Sequence, residues 1–158
     1  MKSIIVTAGV IFLSLSLLTV VYAETDMEGS DLTGASLKNC DLSGVNLKNS
    51  TLRDVNFQGA NLSNAIFRLS ILRGSDFRNA NLKGANLSAC DLSDCNFSGA
   101  DLTGANISGS NLQSANFNNA ILNQTNLDST VWPSVICPDG TLSSKSGYSC
   151  EGHLSINK

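Results

Sequence analysis

Five cysteines, one histidine and thirteen acidic residues are the groups in this 158-residue chain that could carry chemistry. A catalytic nucleophile needs a base within hydrogen-bond reach, and a structural zinc needs four Cys or His ligands. With His153 as the single histidine, a multi-histidine metal site is excluded. Cys137 and Cys150 lie in a turn-rich tail running from Cys137-Pro138-Asp139-Gly140 to Cys150-Glu151-Gly152-His153. Two readings are open there: a disulfide, or a metal site of Cys137, Cys150 and His153 that lacks a fourth ligand. His153 otherwise reads as a solvated tail residue. The aspartates converge on no site by spacing, and no carboxylate pair has a long loop to support it. The chain is therefore expected not to be an enzyme, with no cofactor, metal or small-molecule substrate.

The elements that place these groups are set by a five-residue period. A large apolar residue recurs every five positions from Leu32 to Leu127, twenty times without a gap. Two positions earlier stands a small residue, such as Ala60, Ala80 or Ala100, and Asp or Asn fills the position between in fifteen of the twenty units. A period of five suits neither a helix nor an alternating strand, so the chain must turn inward once per unit. Gly34, Asn39, Gly44 and Asn49 close successive units, and both residue types tolerate the positive φ of a type II turn. Cys40, Cys90 and Cys95 fall at small inward positions, where Cys acts as a small hydrophobe.

A second period of twenty lies over the first. Leu32, Leu52, Leu72, Leu92 and Leu112 make one column, and Leu37 followed by Phe57, Phe77, Phe97 and Phe117 makes the next. Four units per coil imply a four-sided coil stacked on itself, with the phenylalanines as a core stack. Twenty units give about five coils, roughly 24 Å tall at about 4.8 Å per rung.

Ala80-Asn81-Leu82-Lys83-Gly84 and Ala100-Asp101-Leu102-Thr103-Gly104 resemble the A(D/N)LxX motif of the pentapeptide repeat family. The resemblance implies an all-β fold, a right-handed quadrilateral parallel β-helix of about five coils of four pentapeptides each. The tail is similar to a Cys-bounded ending found in some bacterial members. Some members mimic duplex DNA and bind type II topoisomerases, which makes a topoisomerase inhibitor or protector the alternative function. Two successive units depart from the motif, Ala65-Ile66-Phe67-Arg68-Leu69 and Ser70-Ile71-Leu72-Arg73-Gly74. They put Ile66, Leu69 and Ile71 on the wall, as an irregularity or a contact surface.

Met1-Lys2, the apolar run from Ile4 to Tyr22 and Val21-Tyr22-Ala23 have the layout of a secretory signal peptide cut after Ala23. The expected organisation is a signal peptide over 1–23, an N-terminal cap over 24–29, repeats over 30–129 and a C-terminal cap and disulfide-loop tail over 130–158. The expected location is periplasmic or secreted, where a Cys137–Cys150 disulfide would persist. Trp132 continues the five-residue spacing and reads as the lid on the last coil.

Charged residues make up 15% of the chain, against about 25% in an ordinary soluble protein. The net charge is -3, and -4 once Lys2 leaves with the leader. That balance argues against nucleic acid as a partner and makes a poor copy of a phosphate rod. The charge is uneven: residues 30–89 carry seven basic residues and four acids, whereas 90–129 carry four acids and no base. The basic half points to a contact for an acidic protein or an anionic envelope surface, through Arg53, Arg68, Leu69, Arg73, Arg78 and Lys83. The function expected is thus an exported, non-enzymatic scaffold or protein-binding module; the family resemblance implies end-to-end homodimerisation as a further option, which the Cys-rich tail would oppose at its end.

Overall fold

The computed structural model describes residues 26–143 and 150. The expected signal peptide over 1–23 and His153 lie outside them. Within them, parallel bridges join residues twenty apart, from Asp26↔Asn46 through Asn81↔Asp101 to Asn116↔Ile136. Each bridge falls on the residue just before a large apolar one, or before Cys137 at the last rung. The backbone ladder alternates accordingly: Leu32 N donates to Thr51 O at 2.9 Å, and Thr51 N donates back to Ser30 O at 2.9 Å. The chain is a β-helix with twenty residues per coil. Among the described residues its ladder runs from Asp26 to Ile136, so segments on both sides of the twenty units continue the stack.

A β-turn follows each large residue. Ala60 N donates to Phe57 O at 2.9 Å, for example. The third turn residue has positive φ in every unit from Gly29 to Ser134. That requirement explains the Gly and Asn at this position, since both enter the left-handed region at little cost.

Large and small positions both face inward. Leu52, Phe57, Leu62 and Phe67, around one coil, are fully buried, as are Val55, Ala60 and Ala65 beside them. Phe57, Phe77, Phe97 and Phe117 stack with centroids 4.9 Å apart and rings within 11° of parallel. Phe67 meets Phe57 and Phe77 edge-on at 5.9 and 6.2 Å. Stacking at the rung spacing follows from the ladder, because each ring is carried by a backbone position bonded to the one above.

Small polar side chains tie the coils internally. The Ser70 hydroxyl donates to Leu47 O at 2.7 Å and accepts from Ser50 N at 2.9 Å. Ser75 repeats this between Leu52 O and Val55 N, and Ser110 between Leu87 O and Cys90 N. The Cys90 and Cys95 thiols donate to Phe67 O and Leu72 O in the same manner. They are free thiols, packed and not bonded to each other. No buried side-chain nitrogen or oxygen among the described residues lacks a partner.

The C-terminal end is closed by a short hairpin. Cys137 N donates to Thr141 O at 2.7 Å, and Ile136 pairs with Leu142 antiparallel. Ser143 then reproduces the inter-coil hydroxyl bridge: its Oγ accepts from Val135 N at 2.9 Å and donates to Trp132 O at 2.5 Å. A residue of the hairpin thus occupies the place that the next coil would fill. Cys137 extends the phenylalanine column with a smaller side chain. The Trp132 ring fills the space, 5.7 Å from Phe117 and 7% exposed. Its indole Nε1 donates to Thr130 Oγ1 at 2.6 Å.

Candidate functional site

The tail cysteines form a disulfide, Cys137–Cys150, with Cα atoms 5.6 Å apart. The bond removes both thiolates as metal ligands and ties the tail to the end of the stack. Among the described residues no cluster of His, Cys, Asp and Glu could hold a metal ion. The features on which a function can be built are therefore on the walls.

The wall has a simple rule. Wherever the residue before the large one is Asp or Asn, its side-chain oxygen accepts the backbone N–H two residues later. The distances are 2.9–3.3 Å, as in Asn46 to Lys48 N, Asp76 to Arg78 N and Asn86 to Ser88 N. This is an Asx turn, and it is why the motif wants Asp or Asn there: an outward N–H gains a local acceptor. Five units between Leu32 and Leu127 lack that residue, having Ser36, Thr51, Ile66, Ile71 or Ile121 in its place. In these units the N–H groups of Lys38, Arg53, Arg68, Arg73 and Asn123 have no acceptor among the described residues. Four of the five carry a basic side chain on the same residue.

Arg53, Arg68 and Arg73 gather at one corner. Thr51 and Ile71 are bridged, so Arg53 and Arg73 stand one above the other on one wall. Arg68 is on the preceding wall, and Leu69 is in the turn between the two. Leu69 is 45% exposed and Ile66 37%, while Ile71 is half-buried beside them. Leu69 also has φ 65°, in a position otherwise held by Gly, Asn, Asp, Ser, Gln or Ala. A leucine there is disfavoured twice, by backbone strain and by exposure of an apolar side chain. Val131, 60% exposed, is an apolar wall residue near the C-terminal cap, in a unit with no basic side chain.

A hollow of about 390 Å³ beside this corner is lined by Arg53, Asp54, Arg73, Gly74 and Asp94. Arg73 Nε lies 3.1 Å from Asp94 Oδ2, with both side chains about half exposed. Arg53 and Arg68 have no carboxylate partner among the described residues. Asp54 Oδ1 lies over Gly74, where a Cβ would collide with it, and Asn39 lies over Gly59 in the same way. Sorted by twenties, that turn position reads Asn39, Gly59, Asn79, Gly99, Asn119. The alternation is visible in the sequence, but its cause is a contact across coils.

The other two basic residues expected at the contact stand elsewhere. Arg78 is on the next wall, bound to Asp76 at 2.6 Å, and its guanidinium holds the Asp76 carboxyl below the usual range. Lys83 is on the third wall, 3.1 Å from Asp101. The structure thus unites Arg53, Arg68, Leu69 and Arg73 and leaves Arg78 and Lys83 apart, each neutralised by a neighbour.

Comparison with solved structures places the fold in known company. A pentapeptide repeat protein of the cyanobacterium Cyanothece 51142, Rfr23, is similar with a TM-score of 0.65 at 23% identity. The match covers 66% of this chain and 85% of that one. Another, alr5209 from Nostoc Pcc 7120, is 31% identical over 54% of this chain and 69% of its own, with a TM-score of 0.51. A pentapeptide repeat protein from the Arabidopsis thaliana thylakoid lumen is 28% identical, covering 78% of this chain and 77% of that one, with a TM-score of 0.46. The sequence has no match among curated proteins. Eight copies of the pentapeptide repeat pattern match residues 23–49, 30–68, 50–88 and 90–128, and the chain belongs to the pentapeptide repeat family.

Proposed function

We propose that the chain is an exported, non-enzymatic scaffold that binds a protein partner on its wall. The observation that carries this reading is the corner between two walls where Arg53, Arg68, Leu69 and Arg73 converge, with Leu69 exposed among the three arginines. Export is supported by the Cys137–Cys150 disulfide, a bond that persists in oxidising compartments. The fold assignment completing the picture is a right-handed, quadrilateral β-helix of about five coils, taken from the family and the twenty-residue period. Such a stack is stiff and carries no inserted loop, so it offers flat faces for docking and no walls for a substrate pocket.

The DNA-mimic alternative needs a continuous anionic face. Arg53 and Arg73 interrupt the wall that carries Asp31 and Asp91, which favours the scaffold reading over it. End-on self-association through the C-terminus is disfavoured as well, since the hairpin with Ser143 and Trp132 occupies that end.

Site-specific photo-crosslinking in the producing cell tests the reading. A photoreactive residue is placed in turn at Leu69, at Asn79 on the opposite corner, and at Thr103 on another wall. Discrete adducts of defined mass are expected from at least one position, from protein recovered outside the cytoplasm. No adduct from any position, or protein confined to the cytoplasm, would sink it.

A further inference from the structure

We infer that the corner formed by Ile66, Arg68, Leu69, Ile71 and Arg73 is a receptor for an acidic protein segment with an apolar anchor, two carboxylates of which complete the two broken Asx turns, one at each. The inference rests on the scaffold reading and names the partner chemistry of that surface. At sixteen wall positions from Asp26 to Asn126 an Asp or Asn oxygen covers an outward N–H. At Ile66 and Ile71, in consecutive units, that oxygen is missing, and the uncovered N–H groups belong to Arg68 and Arg73. A carboxylate entering from outside meets an amide donor and a guanidinium on the same residue. Such charge-assisted bonds are about twice as strong as neutral ones.

Leu69 stands between those two arginines at positive φ. Ile66 and Ile71 flank it, and their bridge partners Asn46, Asn86, Thr51 and Asp91 are all polar. The patch is therefore an isolated aliphatic island ringed by polar side chains, the arginines as donors and Asp54, Asp91 and Asp94 as acceptors. Apolar centre, arginine and polar rim are the composition of a protein-docking surface. Arg53, from the coil before, adds a guanidinium with no carboxylate partner among the described residues.

A lipid surface fits less well. Lipid-binding clusters use about 4–8 Lys or Arg. This corner has three arginines, one held by Asp94, with Asp54 beside them in the hollow. The aliphatic residues lie on two adjoining walls and the tight turn between them, and on no projecting loop.

The test is a titration of the mature chain, labelled for NMR, with the capped peptide Glu-Glu-Leu-Glu-Glu and its neutral counterpart Gln-Gln-Leu-Gln-Gln. The acidic peptide is expected to shift the Arg68 and Arg73 amides and the Leu69 methyls saturably, with a Kd of about 1 mM or tighter, and the neutral one at least ~tenfold more weakly. The double variant I66N/I71N restores the chain's own acceptors while keeping all three arginines and Leu69. It should fold with unchanged or higher Tm and lose at least ~tenfold in affinity. L69N places at positive φ a residue suited to it, so lost binding there cannot be put down to lost folding. Equal shifts from the neutral peptide, no shift at Arg68 and Arg73, or undiminished binding by I66N/I71N would each overturn the inference. So would co-sedimentation with phosphatidylglycerol vesicles abolished by L69N, which would make the corner a lipid surface. Crosslinks from Asn79 or Thr103 but not from Leu69 would overturn this assignment alone and leave the scaffold reading standing.

Discussion

Side chains at one position of this repeat do different jobs according to a single atom. At the small inward position an alanine fills space, whereas a serine or cysteine also bridges two coils by donating to a carbonyl 23 residues back. The thiols of Cys90 and Cys95 are therefore both packed and hydrogen-bonded. Burial raises the Cys90 pKa to about 11, and burial pushes Cys95 higher still. At pH 8 a thiol titrating near 11 is about one part in a thousand thiolate, so it reacts slowly even when reached. Cys40, in the first full coil, is only half-buried, though burial raises its pKa too. Iodoacetamide at pH 8 should thus add one label to the native chain from Glu24 onward, at Cys40, and three to the same chain unfolded without reductant. Intact mass reads both numbers. Native labelling of Cys90 or Cys95 at the Cys40 rate would mean that the coils separate transiently and that the stack is far looser than its hydrogen bonds imply. Leu69 shows the same sensitivity on the outside. One leucine at a turn position puts an exposed apolar side chain on a wall that is otherwise mostly polar.

At the scale of the coil, stability comes from columns. Phe77 is sandwiched between Phe57 and Phe97 at 4.9 Å and meets Phe67 edge-on at 6.2 Å. Its neighbours are fixed by ladder bonds above and below, so they cannot collapse into a void. Phe77→Ala should cost about 3–5 kcal/mol, the range for truncating a buried aromatic. Leu37→Ala, in the first full coil, should cost less, because the cavity opens toward the end of the stack. Urea unfolding of the chain from Glu24 onward gives both values, and equal losses would refute the column picture. The columns themselves were readable in advance, since a large residue at every fifth position sorts by twenties without any structure. What could not be read is what passes between columns. The Asn39–Gly59 and Asp54–Gly74 contacts need to know that the turn side chain leans over the next rung. The open N–H groups of Arg68 and Arg73 need to know that the motif's Asp or Asn is an acceptor and not only a polar filler. Ile66 and Ile71 were recognisable as exceptions from composition alone, but their consequence for the backbone was not.

For the whole molecule the open question of any stack is how it ends, because a bare rung exposes apolar rings and unpaired backbone groups. Here the C-terminal end is closed by imitation. Ser143 makes the hydroxyl bridge of an absent coil, Trp132 covers Phe117, and Cys137 continues the phenylalanine column while anchoring Cys150. Trp132 was legible as a lid from its spacing, but the role of Ser143 was not, because it lies off the five-residue register. The disulfide closes a loop with a sequence separation of 13. A loop of that size stabilises by about 3 kcal/mol on the chain-entropy view. Reduction should therefore loosen the hairpin before it unfolds the repeats. Trp132, the single tryptophan, reports on this directly. On adding reductant its emission should shift to the red and become quenchable by iodide, while the far-ultraviolet dichroism of the β-helix persists. Cys150→Ser should behave as the reduced protein in either redox condition. An unchanged Trp132 signal after complete reduction would show that the Ser143 bridge and the ring contact hold the cap by themselves. Simultaneous loss of dichroism would show instead that the cap and the stack are one cooperative unit, with the disulfide holding the entire fold through its last rung.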